Sequence, residues 1–242
     1  MRNRHVGFRV IGLFFHSALR GLPIKRFFFI CFFAVALSAL AACSAPQSGD
    51  TATIAVATNF KTTLEQLESD FEARSGHTLN LVSGSTGKLY AQIVNGAPYD
   101  VFLAADQTRP QRLVRNDQAE ARFTYAIGGL ALWGPGRNDI SPDTLDDPGI
   151  TRMAIANPDL APYGLAGIQL LDRLDRKTAW QSKLVYGESV GQTFAFVSTG
   201  NAEIGLVSAA QVLALADATE GNYWLIPHQL HGPIAPAADL LA

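Results

Sequence analysis

Twice between Ile54 and Ile93 a short apolar run ends in a small polar cluster and passes at once into a helical pattern. Residues 54–57 read as a buried strand closed by Thr58-Asn59-Phe60. Leu64, Leu67 and Phe71 then recur at helical spacing through 62–75, where Gly76 stops the helix. Residues 79–82 read as a second strand, followed by Ser83-Gly84-Ser85-Thr86-Gly87 and a helix lined by Leu89, Tyr90 and Ile93. A third strand at 99–104 reaches Ala105-Asp106. Alternating strands and helices with short connections admit few folds, and an α/β domain on a parallel sheet is the natural one. Ligands of such sheets sit at the carboxyl ends of strands, where both polar clusters fall. Each cluster offers hydroxyl or amide donors, free backbone N–H groups and the positive end of a helix, a combination suited to an oxyanion. The same residues also fit plain helix caps.

Past Phe123 the pattern changes. Residues 125–133 form a long, nearly uncharged run containing Gly128-Gly129, read as a crossing into a second lobe. There 153–156 is a strand, 157–162 a Pro-containing loop, 163–174 a helix, 184–185 a strand and 190–198 another helix. Residues 205–207 read as a strand returning to the first lobe, followed by a helix at 208–217 and a strand at 224–227. The expected division is therefore lobe 1 over 52–124 plus 206–242 and lobe 2 over 125–205. Pro162-Tyr163 and Ser189-Val190 also fall at strand ends before helices, so the two lobes form a closing trap.

The first 42 residues are of another kind. They hold six basic residues (Arg2, Arg4, Arg9, Arg20, Lys25, Arg26) and no acid. Lys25-Arg26 precedes an apolar stretch at 27–42, then Cys43 and polar residues to Asp50. A basic flank, a short apolar core and small residues at its end describe an export signal; the stretch is shorter than the roughly 20 residues of a bilayer span. Leu40-Ala41-Ala42-Cys43 resembles the lipobox of bacterial lipoproteins, whose cysteine becomes the lipidated first residue; an ordinary signal cut near Ala42 is the alternative. We expect a signal peptide at 1–42, a lipid anchor on Cys43 and a tether at 43–51. Removing the leader's six basic residues from the 19 in the chain leaves 13 against 21 acidic ones, a formal charge of −8. That surface repels nucleic acid. Cys31 lies in the leader and Cys43 at its edge, so the exported domain has no disulfide and relies on its core.

Other chemistries fail on their spacing. Gly87-Lys88 looks like the end of a P-loop, but Val82 stands where the first glycine belongs and Leu89 where Ser or Thr belongs. His228 and His231 beside a proline read as surface loop, and Asp100 and Asp106 as caps or ion pairs. No Gly-x-Ser-x-Gly elbow is followed by an acid and a histidine. The chain reads as a binding protein and not an enzyme.

Taken together the segments resemble the ModA family, the periplasmic molybdate-binding proteins of ABC importers. The matching stretches are Ala55-Val56-Ala57-Thr58-Asn59-Phe60, the run from Ser83 to Ile93, Asn95-Gly96-Ala97-Pro98-Tyr99-Asp100-Val101-Phe102 with Ala105-Asp106, and Phe123-Thr124-Tyr125-Ala126-Ile127-Gly128. They continue in Ile155-Ala156-Asn157-Pro158, Ala161-Pro162-Tyr163-Gly164-Leu165-Ala166-Gly167 and Ser189-Val190-Gly191-Gln192. The resemblance implies a type II periplasmic-binding fold, two lobes each with a mostly parallel sheet flanked by helices, closing on a tetrahedral dianion. It assigns binding of that anion to Thr58, Asn59, Thr86, Tyr163 and Val190, with Ser85 and Ser208 as weaker candidates. It implies no cofactor, molybdenum entering only as the bound oxyanion. The partner would be the membrane permease of an ABC importer, and the protein a monomer in the periplasm or on the outer face of the cell membrane. The family normally continues past Pro233 with a strand and a C-terminal helix on the first lobe, whereas this sequence stops at Ala242 and is expected to lack that helix.

Molybdate and tungstate carry two charges and no proton at neutral pH, so neutral donors and helix dipoles satisfy all four oxygens. Phosphate keeps a proton and needs an acceptor; no candidate position holds Asp or Glu. Sulfate differs mainly in size. The rival readings are a sulfate-type oxyanion binder, an extracytoplasmic hydrolase and a non-functional truncated relative.

Overall fold

The computed structural model describes residues 50–215 and 222–242. The expected signal peptide, the lipid anchor at Cys43 and most of the tether lie outside the described residues, as do the last two residues of the helix expected at 208–217.

Two five-stranded sheets share one topology. The first is built from β1 (Thr51–Ala57), β2 (Thr78–Gly84), β3 (Val101–Ala104), β4 (Ala119–Thr124) and β10 (Ala237–Leu241), in the order β2-β1-β3-β10-β4. The second contains β5 (Leu130–Trp133), β6 (Met153–Ala156), β7 (Leu184–Gly187), β8 (Ile204–Ser208) and β9 (Tyr223–Leu225), in the order β7-β6-β8-β5-β9. In each, the first three strands of that order pair in parallel and the remaining two pairings are antiparallel. The sheets are thus more mixed than the sequence suggested, because one strand in each enters from the other lobe.

Register places the strand ends that matter. β1 and β2 run in step from Thr51 opposite Thr78 to Ala57 opposite Gly84, and the Thr58 N–H donates to the Gly84 carbonyl at 3.1 Å. β6 and β7 end together at Ala156 opposite Gly187, and the Asn157 N–H donates to the Gly187 carbonyl at 2.7 Å. Each lobe therefore delivers two loops side by side at one edge.

The return to the first lobe comes later than expected. The strand read at 205–207 as leaving lobe 2 is β8, which lies between β6 and β5 in the second sheet; β9 follows it there. The division at residue 206 is therefore corrected, and the chain returns at residues 234–236. A short, wholly buried apolar strand such as Ile204–Ser208 looks the same whichever sheet receives it. The two crossing segments run together, with the Gly128 N–H donating to the Ile234 carbonyl at 2.8 Å and the Tyr125 N–H to the Pro236 carbonyl at 3.2 Å. β10, which the sequence reading did not assign, then pairs with both β3 and β4.

Helices cover the sheets: α1 (Lys61–Ser75), α2 (Thr86–Val94), α3 (Thr108–Arg115), α4 (Pro162–Arg173), α5 (Lys177–Trp180), α6 (Val190–Ser198) and α7 (Ala209–Leu213). Lobe 2 holds the larger core, in which Met153, Ile155, Leu170, Leu171, Trp180 and Ile204 are buried. Lobe 1 splits its core across the two faces of the sheet. One expectation fails on α1: Leu64 is buried, but Leu67 and Phe71 are 53% and 45% exposed. The helix lies beside the edge strand β2, and helical spacing marks a stripe without revealing whether a sheet extends far enough to cover it.

Asp239 is buried on β10 between Phe102 and Arg122, with no hydrogen-bond partner for either carboxylate oxygen. Burial pushes its acidity up to about 6, against the opposing pull of Arg122. A folded value above that of the unfolded chain means the ionised carboxylate destabilises the fold above pH 6; the penalty fades as pH falls through 6 toward 4. Asp239→Asn is expected to stabilise the protein by about 1–3 kcal/mol at pH 7.5 in urea denaturation. At pH 5 the gap between variant and wild type narrows.

Candidate functional site

Three helix N-termini converge where the lobes meet. α2 comes from lobe 1, after the N-cap Ser85; α4 and α6 come from lobe 2, after Ala161 and the N-cap Ser189. Between them lies a cavity of about 10 Å³ lined by Thr58, Asn59, Ser85, Thr86, Tyr163 and Val190. The backbone of Ala57, Gly84, Ala105, Ala161 and Pro162 completes the wall. That volume encloses one small solute and has no room for a sugar or a peptide. No residue lining it carries a charged side chain.

The hydroxyls are oriented by what they accept. Thr86 Oγ1 accepts the Ala105 N–H at 3.1 Å, Thr58 Oγ1 the Gly191 N–H at 3.1 Å, and Ser85 Oγ the Lys88 N–H at 3.4 Å. With an oxygen lone pair of each engaged by backbone, the hydroxyl protons remain for a ligand. The first-turn N–H groups of Thr86, Tyr163 and Val190 have no acceptor within their own helices and carry the positive ends of three dipoles. The cavity is thus rich in donors and poor in free acceptors.

Helix capping explains only part of this set. Ser85 does cap α2, but the N-cap of α1 is Phe60, which makes no side-chain cap bond. Thr58 instead binds across the seam to Gly191, and the Asn59 side chain hydrogen-bonds the Tyr163 phenol from the other lobe. Burial raises the acidity constant of Tyr163, opposed by hydrogen bonds from Ser208 and Asn59. Burial also raises that of Tyr125, whose hydroxyl donates to the Ala104 carbonyl at 3.2 Å. Both phenols stay neutral at physiological pH.

Six of the seven residues named from sequence line this one cavity. Ser208 does not: its hydroxyl lies behind Tyr163, donating to the phenol oxygen at 3.3 Å. Three residues escaped the sequence reading. Ala105 orients the Thr86 hydroxyl through its N–H; Gly191 does the same for Thr58. Gly128 leaves room for the phenol, since a Cβ there would stand 2.6 Å from Tyr163 Oη. Only Gly128 carried a sequence signal, its place in the crossing run. A larger cleft of about 470 Å³ opens beside the cavity, lined by Asp106, Arg109, Arg112, Leu165 and Gln169, and shares Pro162 with it.

Residues 52–241 match the family described as bacterial extracellular solute-binding protein. The molybdate-binding protein ModA of Azotobacter vinelandii is 43% identical over 212 residues, covering 86% of this chain and 83% of that protein. The chain belongs to the ModA family. ModA of Rhodobacter capsulatus is 36% identical over 216 residues, covering 86% and 82%. The solved periplasmic molybdate-binding protein of Azotobacter vinelandii superposes with a TM-score of 0.75 at 41% identity, covering 78% of this chain and 85% of that one. The two-lobed fold of periplasmic binding proteins is thus shared by this ModA-family chain.

Tyr163→Phe removes the group that partners both Asn59 and Ser208. Leaving these buried polar atoms unpaired is expected to cost about 1–3 kcal/mol in chemical denaturation. Tyr186→Phe, at a half-exposed position, serves as the silent control.

Proposed function

We propose that this protein captures molybdate, or tungstate of the same shape and charge, outside the cytoplasm and delivers it to the membrane permease of an ABC importer. The carrying observation is the uncharged, donor-rich cavity shared by both lobes. A fully deprotonated tetrahedral dianion accepts at all four oxygens, and the cavity supplies three hydroxyls, the Asn59 amide and helix N-terminal N–H groups. Helix dipoles offset the two charges without a lysine or arginine, so the anion remains releasable. The naming of the Azotobacter and Rhodobacter relatives as molybdate-binding proteins supports this choice of ligand. The cavity holds no nucleophile with an adjacent base, which favours carriage over catalysis. We further propose that Cys43 anchors the exported protein to a membrane by a lipid, on the strength of Leu40-Ala41-Ala42-Cys43.

Phosphate keeps a proton at neutral pH that must find an acceptor, and the hydroxyl oxygens already serve backbone N–H groups. An unmatched buried polar group costs about 1–3 kcal/mol, up to about 100-fold in affinity. Calorimetric titration of the leaderless protein is expected to show molybdate and tungstate binding and phosphate at least ~10-fold weaker. Sulfate binding as tightly as molybdate would overturn the specificity.

Thr86→Val keeps the shape and removes the proton donor. Molybdate affinity is expected to fall at least ~10-fold, about 1.4 kcal/mol, with Thr86→Ser retaining most of it. For the anchor, metabolic labelling with palmitate is expected to mark the wild type and to vanish in Cys43→Ser.

A further inference from the structure

We propose that a clasp outside the ligand cavity sets how long the closed state lasts: Gly87 and Arg109 of lobe 1 grip the adjacent carbonyls of Leu160 and Asp159 in lobe 2. The Gly87 N–H donates to the Leu160 carbonyl at 2.8 Å, and Arg109 Nη2 donates to the Asp159 carbonyl at 2.9 Å. None of these four residues lines the cavity.

Both donors are held in place by their own lobe. Gly87 is the second residue of α2, fixed by the helix. Arg109 is the second residue of α3; Asp106 Oδ1 accepts its backbone N–H at 2.9 Å, and Asp106 Oδ2 pairs with Nη1 at 2.5 Å. The side chains of that pair are 22% and 17% exposed, so solvent screens them less than a surface pair. The acceptors are held as well. Asn157 Oδ1 takes the Asp159 N–H at 2.9 Å, and the Asn157 carbonyl takes those of Leu160 and Ala161 at 3.1 and 2.9 Å. This turn leads directly into Pro162 and Tyr163, so a pull on it is a pull on the cavity wall.

Gly87 also sets the spacing. A Cβ there would stand 2.9 Å from the Leu160 oxygen and 3.1 Å from its Cα, so a side chain wedges the lobes apart. The matching position of lobe 2 behaves alike: a Cβ on Gly191, second in α6, would lie 3.0 Å from Thr58 Cβ. The Lys88–Glu188 pair spans the same seam at 2.5 Å, but both side chains are well exposed and such pairs contribute little.

An anion enters while the lobes are apart, and the clasp forms only on closure. Weakening it therefore accelerates release and leaves capture alone. The inference rests on the oxyanion reading, and its test uses whichever of molybdate, tungstate or sulfate the wild type retains. Release of the radiolabelled anion is followed after a chase with excess unlabelled anion, in wild type, Arg109→Gln, Arg109→Lys and Gly87→Ala, each checked for a cooperative melting curve. Release is expected to be about tenfold faster in Arg109→Gln and Gly87→Ala and intermediate in Arg109→Lys, with capture within about twofold of wild type. Wild-type release rates in both Arg109→Gln and Gly87→Ala, or slowed capture with unchanged release, overturn the clasp. Retention of sulfate but not molybdate overturns the molybdate reading and leaves the clasp measurable; retention of none overturns both.

Discussion

The hydrogen bond from the Gly128 N–H to the Ile234 carbonyl joins the two segments that cross between the lobes. Much of the architecture follows from it. Because the chain crosses twice at one place, each sheet receives one antiparallel strand from the other side, β5 in lobe 2 and β10 in lobe 1. The lobes can then share a cleft at their strand ends while remaining tied along one edge. Tyr163 packs its phenol against Gly128, so the cavity wall and the crossing are in direct contact.

The chemistry of the cavity is decided by hydrogen bonds that a ligand never touches. A serine or threonine hydroxyl both donates and accepts, and by itself does not discriminate between a protonated and a deprotonated anion. Here Ala105, Gly191 and Lys88 occupy hydroxyl oxygens with backbone N–H groups, leaving the protons to face inward. One of these supports comes from the opposite lobe: Gly191 reaches Thr58 only when the lobes are together. Closure and donor orientation are thus coupled, and the same closing movement brings Gly87 and Arg109 onto the turn before α4.

Much of this was legible along the chain. Strand-to-helix transitions at 57–61 and 84–86 located Thr58, Asn59, Ser85 and Thr86, because parallel strands place such transitions at the ligand edge. Tyr163 and Val190 were legible for the same reason in lobe 2. What misled was burial without context. Leu67 and Phe71 have helical spacing but no sheet beneath them, and β8 has the apolarity of a core strand without a mark of which core. Ser208 has the right residue type for a donor and stands one layer too deep, behind the phenol.

By itself the sequence determined the α/β alternation, the two polar clusters at strand ends and the absence of acids among the site residues. These are local properties, set by residue type and spacing. Only the tertiary structure decided which sheet receives β8, that β10 fills the gap between β3 and β4, and which lone pair of each hydroxyl is already engaged. Those depend on pairings between residues tens to more than a hundred positions apart, such as Thr58 with Gly191 and Gly87 with Leu160. Spacing along the chain carries no record of such partners, because they are chosen by packing in three dimensions.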